Sequence, residues 1–120
     1  MNIEEIYEKW CDEERLTEEE LECISSFILT KLEQGEELSR PDFDFIFEQW
    51  DYETGDFIEE WSHGWIVYSF IINAPNGKHY AFRSAHHDDY GFMDSIEDQV
   101  CPEVELKEVM VKKWVEVKNG

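Results

Sequence analysis

Positive charge is what this sequence holds least of: 10 Lys and Arg stand against 30 Asp and Glu in 120 residues, a formal balance of −20. A surface of that sign repels phosphate, which disfavours direct binding to nucleic acid or to an anionic membrane unless a metal ion bridges the two. Cysteine is scarce too. Cys11, Cys23 and Cys101 are odd in number and lack Cys-x-x-Cys spacing, which argues against a disulfide framework or a zinc knuckle. A reduced, cytoplasmic setting is therefore expected.

Six glycines and three prolines leave no Gly-rich loop to cradle a phosphate, no low-complexity linker and no internal repeat. No apolar run reaches the length of a membrane span, and "MNIEEIYEKW" lacks the basic start and apolar run of a signal peptide. No Ser or Cys occupies a nucleophile elbow. Carboxylates are too numerous for any one pair to stand out as an acid/base couple. An enzyme is not expected, and no cofactor is implied.

What is present argues for a folded chain. Hydrophobic residues make up 42% and aromatics 15%, including five Trp and eight Phe, too apolar for a disordered acidic tail. The length suits a single domain spanning residues 1–120. Residues 1–61 carry 21 acids and 4 bases, a balance of −17, whereas residues 62–120 carry 9 acids and 6 bases, a balance of −3.

Ile3, Ile6, Tyr7, Trp10 and Cys11 recur at helical spacing and predict an amphipathic first helix with Glu4, Glu5, Glu8 and Asp12 on its outer side. A second helix is predicted from about Glu18 to Gln34. Thr17 and Glu20 form a capping box, Leu16 and Leu21 a hydrophobic staple, and Gly35 suits a left-handed C-cap. Its buried stripe is Leu21, Ile24, Phe27, Ile28 and Leu32.

After residues 1–35, the stretch 42–117 reads as mainly β. Phe43, Phe45 and Phe47 alternate with polar and aliphatic neighbours, as in a strand, although the same residues suit a short helix starting after Arg40-Pro41. "GWIVYSFIINAPNGKHYAFRS" is a hairpin around Pro75-Asn76-Gly77, and Ile66–Ile72, apolar on both faces, is its central strand. "SAHHDDYGFMDSIEDQVC" is expected to be the longest loop. "PEVELKEVMVKKWVEV" is a further strand whose change of apolar parity implies a bulge near Lys107–Glu108. The expected class is α+β: two N-terminal helices packed on an antiparallel sheet of three or four strands.

The stretch "DEERLTEEELE" (12–22) has seven carboxylates among eleven side chains, although like charges one turn apart repel by a few tenths of a kcal/mol per pair. Glu18, Glu19 and Glu20 suit the positive end of the second helix. Asp12, Glu13, Glu14 and Glu22 have no such explanation. Their bland reading is a solvated face that keeps the chain soluble. The functional reading is an electrostatic decoy, because carboxylates at i and i+4 lie about 6 Å apart on a helix and imitate a row of phosphates. Glu4 with Glu8, Asp12, Glu14 with Glu18, and Glu18 with Glu22 would form that row. A chain of this length is roughly 35 Å across, and roughly 34 Å of duplex carries about twenty charges. The expected partner is a basic nucleic-acid-binding protein.

Other residues suggest other readings. Trp50, Trp61, Trp65 and Trp114 suit an aromatic interaction face or, as the simpler reading, core packing; Trp61 and Trp65, on either side of a predicted turn, are the exception, where a ring stays exposed as a candidate contact. His86, His87, Asp88 and Asp89 offer metal-ligating side chains, but neighbours on a strand point to opposite faces, and a solvated loop is the simpler reading. Glu105-x-Lys107 downstream of Asp88 and Asp89 has the look of a metal-dependent nuclease triad. Such a triplet arises readily by chance among so many glutamates.

The segments "GWIVYSFIINAPNGKHYAFRS" and "VELKEVMVKKWVEV" resemble the β-rich end of small uncharacterised proteins of phages that infect Gram-positive bacteria. In size and acidity the chain is similar to the phage-encoded anti-restriction and anti-CRISPR inhibitors that mimic nucleic acid. That resemblance implies a steric and electrostatic inhibitor acting without turnover in the host cytoplasm. A phage assembly module or a metal-dependent enzyme would be the other classes.

Overall fold

The computed structural model describes residues 2–92, 96–106 and 117, with the side chain of Phe92 left aside. It is an α+β fold. Two helices, α1 (Ile3–Cys11) and α2 (Glu18–Gln34), lead through a short strand β1 (Glu37–Leu38) into a third helix, α3 (Arg40–Gln49). Strands β2 (Asp51–Glu60), β3 (Ile66–Asn73) and β4 (His79–His87) then form an antiparallel sheet in that order. Beside β4 lie two short strands, β5 (Gly91–Phe92) against His86–His87 and, at the other end, β7 (Glu103–Val104) against His79–Tyr80. Strand β6 (Gln99–Val100) pairs separately with β1.

The first two helices form for local reasons. Asn2 accepts the Glu4 amide at the start of α1. At α2, Thr17 Oγ1 accepts the Glu20 amide at 3.2 Å while the Glu20 carboxylate accepts the Thr17 amide at 3.1 Å, the reciprocal capping box. Gly35 closes α2 with φ +70°, and the Glu36 amide bonds back to the Lys31 carbonyl. The end of α1 repeats that Schellman pattern, with Glu13 amide on Trp10 carbonyl and Glu14 amide on Lys9 carbonyl. There the left-handed residue is Glu13, at φ +58°.

Residues 40–49 take the helical alternative rather than the strand. The Asp42 carboxylate accepts the Ser39 amide at 2.9 Å, and Pro41 sits in the first turn, where its missing N–H costs nothing. Phe43, Phe45 and Ile46 are all buried. Apolar residues fall on two sides of α3 because partners cover it from both directions: Trp10 of α1 meets Phe45 edge-on at 5.3 Å, while Phe43 lies 5.2 Å from Phe82 on β4. One apolar cluster joins Ile6, Ile24, Ile28 and Leu32 of the helices to Phe70, Ile72, Tyr80 and Phe82 of the sheet.

The hairpin runs in register from Asn73↔His79 to Ile66↔His86, with β3 between β2 and β4. Strand β2 departs from the sequence reading, which assigned no separate strand to 51–60. It carries five acids and is exposed along most of its length. Gly55 lies in an irregular stretch between Thr54 and Phe57, and a Cβ there would collide with the Ser69 carbonyl oxygen. The expected long loop is shorter than its composition suggests, because β4 continues to His87 and β5 returns after a tight turn. The bulge near Lys107–Glu108 and Trp114 lie outside the described residues. No described helix is long and apolar enough to cross a membrane.

Candidate functional site

The candidate acids lie on α1, the connection after it, and the start of α2. Glu4, Glu8, Asp12, Glu14, Glu18 and Glu22 are all exposed. Glu4 and Glu8 stand one turn apart on α1, Asp12 caps its C-terminus, and Glu18 and Glu22 stand one turn apart on α2. Among the described residues none of the six lies within 4 Å of a cation.

Most of the described cations are engaged by other acids. Lys9 bonds Glu20 at 3.0 Å, Lys31 bonds Asp42 at 3.0 Å, Arg40 bonds Asp44 at 3.0 Å, and Lys78 meets Glu103 at 3.4 Å. These four are among six described Lys and Arg residues, which leaves Arg15 and Arg83 as the other described positive groups. Lys9 ties α1 to the first turn of α2. Its ammonium is held above its ordinary pKa by the Glu20 carboxylate, with weaker support from Glu14 and Glu5. Glu20 in turn lies below the usual carboxylate range, first because of the Thr17 amide and then because of Lys9. Glu20 is thus a structural acid, distinct from the exposed ones around it.

Among the described residues the buried carboxylate is Asp42, whose side chain is 0% exposed. It accepts from Tyr7 Oη at 2.7 Å, Lys31 Nζ at 3.0 Å, and the Ser39 amide and hydroxyl at 2.9 and 3.1 Å. Lys31 also lies over the Phe27 ring, 4.6 Å from its centroid. This network pins α1, α2 and α3 together.

The aromatic candidates form a separate place. Trp61 and Trp65 close the turn between β2 and β3 through a bond from the Trp61 amide to the Trp65 carbonyl at 2.7 Å. His63 and Gly64 take left-handed backbone within it. Trp61 is 44% exposed, and its indole N–H donates to Glu59. Trp65 stacks with Tyr90 at 6.4 Å and meets His87 at 5.3 Å. Among the described residues no hydrogen bond, ion pair or ring contact joins either tryptophan to α1 or α2. Trp50 packs against Phe45 and donates to Ser25 on α2.

His86 and His87 lie on β4 with opposite surroundings, His86 beside Phe70 and His87 beside Trp65 and Tyr90. Asp88 and Asp89 are exposed in the turn that follows. The Asp89 amide donates to His87 Nδ1 at 3.0 Å. The structure therefore splits the four residues, and among the described residues no group of three His, Cys, Asp or Glu side chains is placed to hold a metal ion.

One part of the acidic surface and one backbone feature escaped the sequence reading. Strand β2 adds Asp51, Glu53, Asp56, Glu59 and Glu60, all exposed. Glu13 holds a left-handed backbone that Gly adopts freely and that costs other residues roughly 1–2 kcal/mol. The regional imbalance of charge contained the first signal. The second was hidden, because no local pattern marks a glutamate as the left-handed residue of a cap.

Comparison with protein-family models, curated proteins and solved structures finds no match to this chain.

Proposed function

We propose that this protein is an acidic decoy: its α1–α2 face occupies the basic groove of a DNA- or RNA-handling host defence protein and blocks access to nucleic acid. One observation carries this reading. Exposed carboxylates outnumber cations on α1, the connection and α2, where Lys9 and Lys31 are engaged by Glu20 and Asp42 and Arg15 is the one other described cation. A field left unneutralised in this way steers a cationic partner toward the face before contact. Glu13 supports the same reading, since an acid is kept where glycine would relieve backbone strain.

The mechanism is occupation of a groove without turnover, of the anti-restriction or anti-CRISPR kind. Basic nucleic-acid-binding proteins retained on the immobilised protein should be displaced by duplex DNA, and their retention should fall steeply as salt rises from about 50 to about 200 mM. Retention that ignores both DNA and salt would remove the reading.

A second reading is an assembly module that docks through the β2–β3 end. Phe57 is 61% exposed, Trp61 44% and Tyr90 75%, and large aromatics concentrate at protein interfaces. That reading expects salt-insensitive oligomers in light scattering and loss of them on Trp61→Ala.

A further inference from the structure

An open groove of about 770 Å³ runs between the end of α1, the connection to α2 and the outer side of α3. Its floor is apolar, made by Trp10, Leu16, Leu21 and Phe47, all partly exposed. The Trp10 indole N–H is already satisfied by the Pro41 carbonyl at 2.9 Å, so the ring offers the groove apolar surface rather than a donor. The rim is acidic, with Glu13 and Glu14 from the connection and Asp44 and Glu48 from α3. Among the described residues Arg15 is the one cation on that rim, and Arg40 engages Asp44. Four acids against one base leave the described lining at −3, or −2 once Arg40 is counted with the Asp44 it pairs.

This combination selects its occupant. A carboxylate rim repels anionic ligands, and an apolar floor gives nothing to a small hydrated cation. Arginine and lysine suit both parts, since their alkyl stems cover apolar surface while their heads reach carboxylates. A large apolar side chain between them fills the floor, and the volume lies within the roughly 300–1,000 Å³ of established binding pockets. The Schellman bonds at Glu13 and Glu14 hold that part of the rim in place before binding.

We infer that the groove seats a segment of a basic partner protein in which one large apolar side chain is flanked by arginines or lysines. The inference rests on the acidic-decoy reading and deepens it. The partner is gripped at one apolar anchor as well as attracted by the field.

The test measures binding of two synthetic peptides to the intact protein. One carries a central leucine between runs of arginine, and the other carries serine in its place. The leucine peptide should bind about tenfold more tightly. Glu48→Arg, a surface change on α3, and Leu16→Ser should each weaken it, and Leu16→Met should retain it; circular dichroism checks that each variant is folded. Equal, salt-dependent binding of the two peptides would overturn the groove while leaving the decoy standing. A leucine preference in a protein that fails to release DNA-displaceable partners would keep the groove and sink the decoy. Binding of neither peptide would overturn the groove.

Discussion

Lys31 Nζ lies 3.0 Å from Asp42 Oδ2, joining α2 to the first turn of α3, and the carboxylate is sealed from solvent while the lysine is 20% exposed. Removing either partner strands the other in a poorly hydrated place. Asp42→Ala should cost about 3 kcal/mol in urea denaturation, because Tyr7, Ser39 and Lys31 all lose their acceptor. Lys31→Met should cost less, about 2 kcal/mol, since three donors to Asp42 remain. Changes below about 0.5 kcal/mol for both would mean the network contributes little.

Tyr7 sets an alkaline limit on stability. Burial raises its phenol well above the ordinary tyrosine value; Ser39 pulls it the other way, and the Asp42 carboxylate adds to the rise. Folded Tyr7 therefore keeps its proton where the unfolded chain, titrating near about pH 10, has lost it. The stability this contributes is complete below that pH and declines as pH rises toward the folded value. Tyr7→Phe should be about 1–2 kcal/mol less stable at neutral pH and should lose less stability above about pH 10. Parallel stability–pH curves for the two proteins would refute this.

Glu13→Gly should raise stability by about 1 kcal/mol, because glycine relieves the left-handed backbone at φ +58°. On the decoy reading it should also weaken binding to a basic partner. Thermal melting and titration calorimetry on the same variant separate the two effects. A stability loss would show that the Glu13 side chain holds the cap.

Glu14, Glu18 and Glu22 changed together to glutamine should leave unfolding free energy within about 0.5 kcal/mol of the parent. Affinity for a basic nucleic-acid-binding protein should fall, and its dependence on salt should become shallower. Unchanged affinity would place the contact elsewhere.

Gly55→Val should detach β2 locally, since the added side chain meets the Ser69 carbonyl. The expected cost is about 1–3 kcal/mol, with hydrogen-exchange protection lost from β2 amides but kept between β3 and β4. Uniform loss of protection would tie β2 to the whole fold.

How much was legible depended on the reach of the interactions. The bounds of α2 follow from Thr17, Glu20 and Gly35, each acting within four residues of its partner, and the hairpin follows from the turn at Pro75-Asn76-Gly77. At 43–47 the alternation fitted two periods at once. The helix is chosen where Trp10 and Phe82, far apart in sequence, cover opposite sides. Acid-rich β2 shows no apolar stripe because most of its surface faces water, and its backbone bonds come from β3.

The sequence by itself determined the composition of the surface and the local elements: a −20 chain with most of its acid in the first half, two capped helices and a hairpin. Tertiary structure alone decided which acids are structural and which are free. Asp42 looks no different from its neighbours in sequence, and Glu20 is marked there only as a capping residue, yet Tyr7 approaches Asp42 from 35 residues away and Lys9 reaches Glu20 from 11. A charge is defined locally by its residue type, but its environment is set by whatever the fold brings beside it.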